Sequence, residues 1–236
     1  MTRPIQKQFE IYYADSLAKA MGYNWIISTP PNETDWPDLL IQTPADNFGL
    51  EVRDIFVDEH SNGSFEKRSE SFRQKLLNQL SAKYYEKKNS PILLEVSGPF
   101  DNKIAESILS YLLSIDFQEW KKIEHDIILN GTKTRLYVDG LPSSFANYNR
   151  WRYIDDNIGW VQRISDIDVE IITKDKSLNI IKYKKNNNKV SLLIVANRIK
   201  NSGKLLLEKN SQINTHGFDK VFFYMHPLDA IVYGSD

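Results

Sequence analysis

The chain contains no cysteine, which excludes disulfides, thiolate zinc sites, iron–sulfur clusters and a cysteine nucleophile. Histidine is almost as scarce. His60, His125, His216 and His226 are scattered, and no two stand four apart, so the helical two-histidine metal motif is absent. No apolar run reaches the roughly 18 residues that a membrane-spanning helix needs. The opening Met-Thr-Arg-Pro-Ile-Gln-Lys is polar and has no apolar signal-peptide stretch. Without one, the glycosylation-type tripeptides at Asn32, Asn62 and Asn130 carry little meaning, and the expected address is cytoplasmic. A glycine-rich phosphate loop is missing too, because Gly98-Pro99 is not followed by a Lys-Ser/Thr pair. No Gly-x-Ser-x-Gly nucleophile elbow occurs.

What remains is an ordinary globular composition. Of 236 residues, 41% are hydrophobic and 26% charged, enough to build a core without staples. The expectation is a single domain over 1–236. The net charge of −1 hides an asymmetry. Between residues 33 and 59 stand Glu33, Asp35, Asp38, Asp46, Glu51, Asp54, Asp58 and Glu59, with Arg53 as the only base. Between 173 and 210 stand Lys174, Lys176, Lys182, Lys184, Lys185, Lys189, Arg198, Lys200, Lys204 and Lys209, against Asp175 and Glu208. An acidic stretch suits a divalent cation and a basic one suits a polyanion. Two solvated surfaces of opposite sign are the plainer alternative.

Periodicity predicts a helix over 4–21 with the stripe Ile5, Phe9, Tyr13 and Leu17, stopped by Gly22. Short strands follow at Trp25–Ser28, Leu39–Ile41 and Gly49–Ile55, separated by Pro-rich or Asp-rich turns. A second helix runs from Ser64 to about Lys87 on Phe65, Phe72, Leu76, Leu80 and Tyr84. Ile92–Val96 reads as a buried central strand. A helix over 102–116 is capped by Asp101, and Asn130-Gly131 closes a hairpin between 127–129 and 134–138. Residues 141–164 read as an irregular aromatic insertion, either a binding loop or a satellite apolar cluster. A helix over 166–185 carries Ile167, Ile171, Leu178 and Ile181 on one side and lysines on the other. Strands at 190–195, 221–225 and 230–233 end the chain. Residues 166–236 thus complete the sheet. The fold class is α/β, a central mixed sheet flanked by helices on both faces.

Three carboxylates stand out. Asp38 follows a proline at the start of one strand, Glu51 lies in the next, and Glu10 lies in the first helix. If the two strands pair as a hairpin, Asp38 and Glu51 meet on one face. With the Val52 carbonyl they offer oxygen ligands to a hard cation. Such an ion offsets carboxylate repulsion, polarises a phosphate and acidifies a bound water. Arg53 points the same way as Glu51 and suits a charge-stabilising role.

Pro37-Asp38 opening a strand, residues 39–50, then Glu51-Val52-Arg53 in a strand, in the order helix, strands, helix, strand, resembles the PD-(D/E)XK nuclease superfamily. The resemblance covers residues 4–98 as a restriction-endonuclease-like αβββαβ core. It implies a hydrolase that cleaves DNA with Mg²⁺ or Mn²⁺, in a restriction, phage-defence or mobile-element setting. By resemblance, Asp38 and Glu51 bind the metal with Val52, and Glu10 assists. The family has lysine where this chain has Arg53, and arginine cannot serve as a general base. A lysine of the following helix, such as Lys75, is one replacement. Lys174, Lys182, Lys184 and Lys185 suit phosphate contacts. Arg150, Trp151, Arg152 and Tyr153 interleave cations and aromatics as a strand-binding segment does. Plainer roles exist for each: turn capping for Asp38, a same-face ion pair for Glu51 and Arg53, an exposed carboxylate for Glu10, a solvated face for the lysines. Two alternatives to an active enzyme follow: a catalytically inactive nuclease-fold module that binds nucleic acid or protein, and an interaction protein whose 141–164 aromatics form a homodimer contact.

Overall fold

A computed structural model describes residues 4–31, 35–59, 63–155 and 160–234. His60, Glu33, Asn32 and Asn62, and residues 156–159 of the aromatic segment, lie outside the described residues. In chain order the elements are α1 (Pro4–Met21), β1 (Ile26–Ser28), β2 (Leu39–Gln42), β3 (Asn47–Asp54), α2 (Phe65–Tyr85), β4 (Ile92–Ser97), α3 (Asn102–Ser114), β5 (Lys122–Leu129), β6 (Thr132–Gly140), β7 (Arg152–Ile154), β8 (Gln162–Ser165), α4 (Asp166–Lys176), α5 (Ile180–Tyr183), β9 (Val190–Asn197), β10 (Leu205–Glu208), β11 (Val221–His226) and β12 (Asp229–Tyr233). Where the sequence suggests one domain, the chain forms two compact units, Met1–Glu66 with Val161–Asp236, and Lys67–Trp160.

The first unit is built on a six-stranded mixed sheet in the order β1-β2-β3-β9-β11-β12. β1, β2 and β3 form an antiparallel meander, β9 and β11 continue parallel to β3, and β12 returns antiparallel. β9 is buried from Val190 to Ala196, as a central parallel strand covered on both faces must be. Its alternate residues feed two cores. Leu193 and Val195 join Leu39, Leu50, Val52, Phe222 and Tyr224 under Tyr13, Ala14 and Leu17 of α1. Leu192 and Ile194 join Ile55, Val221 and Phe223 under Val169 of α4, Tyr183 of α5 and the parallel ribbon β10-β8.

A polar seam runs beneath α1. The Ser16 hydroxyl lies 2.8 Å from that of Tyr224 and 3.3 Å from Nδ1 of the buried His226. Nearby, Asn197 donates to the Tyr13 hydroxyl at 2.8 Å.

The second unit has a four-stranded sheet, β5-β6-β4-β7, with α2 and α3 sharing its apolar core. β4 alternates buried and half-buried residues, so one face is fully packed and the other, with Leu93, Glu95 and Ser97, is partly open. Asn130 and Gly131 take φ of 50° and 76°, the left-handed pair that the β5–β6 turn requires. Asp101 accepts the Ile104 amide at 2.9 Å as the α3 cap.

Several expectations are corrected. The core expected over 4–98 is divided, because β4 pairs with β6 and β7 in the second sheet while β3 takes β9 as its parallel neighbour. The 141–164 segment is not simply irregular. β7 extends the second sheet and β8 pairs with β10, a strand the sequence analysis did not expect. Trp151 is 2% exposed and donates its indole N–H to the Ile92 carbonyl at 3.0 Å. Tyr153 stacks on Phe100 and donates to the Gly98 carbonyl at 2.8 Å.

The helical stripes are also turned. α1 buries Glu10, Tyr13, Ala14, Leu17 and Ala18 and exposes Ile5 and Phe9. α2 leaves Phe65 and Phe72 exposed. The helix expected over 166–185 breaks into α4, a 3₁₀ turn and α5, and Ile167, Ile171, Leu178 and Ile181 are 62–78% exposed. The side turned inward carries Asp166, Val169 and Thr173, with Asp166 bonded to the Asn210 and Ser211 amides and the Tyr233 hydroxyl.

Candidate functional site

The β2–β3 register pairs Leu39 with Leu50, which sets Asp38, one residue before β2, opposite Glu51. Residues directly opposite in an antiparallel pair share a face. Asp38 is fixed further, since its Oδ2 accepts the Val52 amide at 2.9 Å. Pro37 backs this segment. A Cβ built on Gly49 would meet the Pro37 ring at 2.4 Å, so only glycine lets the two chains approach this closely.

Glu51 is 5% exposed, and its face of β3 looks toward α4 and α5. From α4, Lys176 donates to Glu51 Oε1 at 2.8 Å, and the Tyr183 hydroxyl of α5 is directed at the same carboxylate. Burial pushes the Glu51 carboxyl up, and the charge of Asp38 adds to that. Lys176 and Tyr183 pull the other way without cancelling it. The Tyr183 hydroxyl is itself raised by burial and by the charges of Glu51 and Asp38.

The α1 side contributes a second acid–base pair. Glu10 is 6% exposed, and its carboxyl is pushed up by burial and then by Asp38. Lys7, one turn earlier, places its ammonium 2.7 Å from Glu10 Oε2 and donates to the Asp38 carbonyl at 2.9 Å. Asp38 therefore sits between two buried carboxylates, one from the helix and one from β3, with one lysine against each.

The other expected residues are placed elsewhere. Arg53 is taken up by an ion pair with Glu59, whose other oxygen accepts the Phe56 amide at 3.0 Å. Lys174, Lys182 and Lys185 are exposed on the helical segment, and Lys184 lies 3.9 Å from Asp219. Lys75, Arg150 and Arg152 belong to the second unit, where Lys75 and Arg150 are exposed and Arg152 lies 3.7 Å from Glu95. With Trp151 in a core, the aromatic–basic run offers no stacking face at that residue. Lys176, Lys7 and Tyr183 were missed. Lys7 stands one helical turn before Glu10, a signal present in the sequence. Lys176 stands 125 residues from Glu51 and had none.

Among the described residues, no three acidic or histidine side chains converge as a metal-ligand cluster. The pair Asp38 and Glu51 still has the chemistry for a hard cation. Two carboxylates repel across one register position, and Mg²⁺ is commonly held by one or two carboxylates with water filling its remaining positions. A comparison with protein-family models, with curated proteins and with solved structures gives no match to the chain.

Proposed function

We propose that the first unit is a divalent-metal-dependent nuclease of the PD-(D/E)XK kind, acting on DNA phosphodiesters. The observation that carries this reading is the meeting of Asp38 and Glu51 across β2 and β3 with the Lys176 ammonium on Glu51. The order of elements supports it. With residues 67–160 set aside, the first unit runs α1-β1-β2-β3, then β8, α4, α5 and the parallel strand β9; leaving out β8, which pairs with β10 outside the main sheet, and taking α4 and α5 as one helical segment, this is the αβββαβ order expected of that superfamily.

In this reading Asp38 and Glu51 hold Mg²⁺ or Mn²⁺. When bound, that ion polarises a phosphate oxygen and acidifies an attacking water. Lys176 fills the place of the lysine that Arg53 leaves vacant in sequence. Its ammonium is a compact point charge on a flexible stem, where Arg53 carries a planar guanidinium. At 2.8 Å from Glu51 it is placed to orient a water or to neutralise charge gathering on the phosphate. Lys7 offsets part of the repulsion between Glu10 and Asp38, and Tyr183 orients Glu51. The second unit and the exposed lysines of α4 and α5 are outside the chemical step.

The test is cleavage of supercoiled and linear DNA with Mg²⁺ or Mn²⁺. Asp38→Asn, Glu51→Gln and Lys176→Met are each expected to lose about 10²–10³-fold in rate, the usual cost of one charge-stabilising group. Unchanged cleavage in Glu51→Gln would sink the assignment. A second reading, a non-cleaving module that binds nucleic acid or protein, is favoured by one observation: Lys7 and Lys176 already neutralise the acids. Absence of divalent-ion binding by calorimetry at millimolar concentration, with nucleic-acid or protein binding intact, would select it.

A further inference from the structure

Tyr23, Trp25, Phe48 and Phe222 line one cleft of about 330 Å³ in the first unit. It lies at the β2–β3 turn, the far end of that hairpin from Asp38. The Trp25 indole stacks on Tyr23, with ring centroids 5.4 Å apart and planes 21° apart. Phe48 and Phe222 meet the indole edge-on at 5.5 and 5.8 Å. Phe222 is buried in the sheet, whereas Tyr23, Trp25 and Phe48 are half-buried and keep surface toward the cleft. The volume is at the lower end of the range for small-ligand sites, roughly 300–1,000 Å³.

The rim carries both signs. Asp46 pairs with Lys189, and Asp219 and Lys220 complete it. A purely aliphatic ligand would strip water from these charges without replacing it. A bare anion would face two carboxylates. A planar ring with hydrogen-bonding edges satisfies both parts of the cleft, because its face stacks on the aromatics while its edge meets the acids. A phosphate carried by the sugar of such a ring would meet Lys220, or Lys189 in exchange for Asp46. We propose that this cleft binds a nucleobase, stacked against the Tyr23–Trp25 pair, as a separate site from the Asp38–Glu51 pair.

The base can come from a free nucleotide or from a single strand, and two arms separate these sources. The full chain, without divalent ions, is photo-crosslinked to 4-thiouridine monophosphate and to a short single-stranded oligonucleotide carrying one 4-thiouridine. The attachment point is found by peptide mass mapping. Label on the peptides holding Trp25 or Phe48 is expected. Labelling by the monophosphate and the strand marks a site for an isolated base, and labelling by the strand alone marks a base within a chain. Affinity is then measured in Trp25→Leu and Phe48→Leu, which keep apolar bulk and remove a ring. A loss of about fivefold or more is expected, since stacking one base is worth at least about that factor. Label elsewhere, no saturable binding of either probe at millimolar concentration, or equal affinity in folded Trp25→Leu overturns the proposal. The label at Trp25 or Phe48 is read without divalent ions and needs no cleavage, so a failure of the nuclease reading leaves this result standing.

Discussion

Glu51 is held against its own preference. Burial and the neighbouring Asp38 charge raise its pKa, so the folded chain binds this proton more tightly than the unfolded one. The linked stability is therefore fully present at low pH. It is lost as pH rises from the ordinary glutamate range through the raised value. Removing the charge relieves the cost at neutral pH. Glu51→Gln is expected to raise the melting temperature, with a gain of about 0.5–2 kcal/mol, while slowing the proposed metal-dependent cleavage by about 10²–10³-fold. Calorimetric melts beside a cleavage assay check both halves, and a drop in stability would show that the Lys176 bond outweighs burial. His226 has the opposite sign. Burial lowers its pKa, so the unfolded chain binds the proton more tightly. Its stability term is full above the ordinary histidine range and is lost as pH falls through that range toward the depressed value. His226→Gln should flatten that part of the stability–pH curve, measured by urea midpoints between about pH 5 and 7.

At the level of single elements, closeness of approach sets the site. Gly49 allows the Pro37 ring to lie against β3, and that seat aims Asp38 at the Val52 amide. Gly49→Ala is expected to cost about 1–3 kcal/mol from overcrowding. It should also lower cleavage more than Tm alone explains, which kinetics on the folded variant would reveal. This part of the site was legible. Two short strands with turn residues between them must pair, and the register then carries Asp38 to Glu51. The lysine was not legible, because its position depends on how α4 is rotated over the sheet. Ile167, Ile171, Leu178 and Ile181 recur at helical spacing and look like a core stripe. The real inward side contains Asp166, whose oxygens are satisfied by two amides and a tyrosine hydroxyl. Apolar spacing reveals that a segment is helical. It does not reveal the buried side when a hydrogen-bonded acid lies there. Likewise β10 is four residues long and, among the described residues, pairs with β8 alone, so it left little pattern to read.

The whole molecule has two sets of cores that share no residue. The core around Trp151 draws on residues 76–151, all within the second unit. Trp151→Ala should cost about 3–5 kcal/mol, and the loss should be local. Amide hydrogen exchange is expected to collapse in β4, β6 and α3, while β9 and β11 keep their protection. Uniform loss of protection would show that the two units unfold as one. The alternation of helices and strands made the α/β class readable, but the division was not. The strand after α2 is as apolar as any parallel neighbour of β3 would be, and only pairing decides which sheet it enters.

The order in which the chain leaves the ribosome gives this division a further consequence. Asp38 and Glu51 emerge before Lys176, which follows 125 residues after Glu51 with the entire second unit between them. At about 5–20 residues per second, roughly 6–25 seconds of synthesis separate Glu51 from Lys176. During that interval β3 also lacks β9. Until α4 and β9 have been made, a nascent chain would thus carry Asp38 and Glu51 beside an unpaired strand edge, without the lysine that the proposed reaction needs.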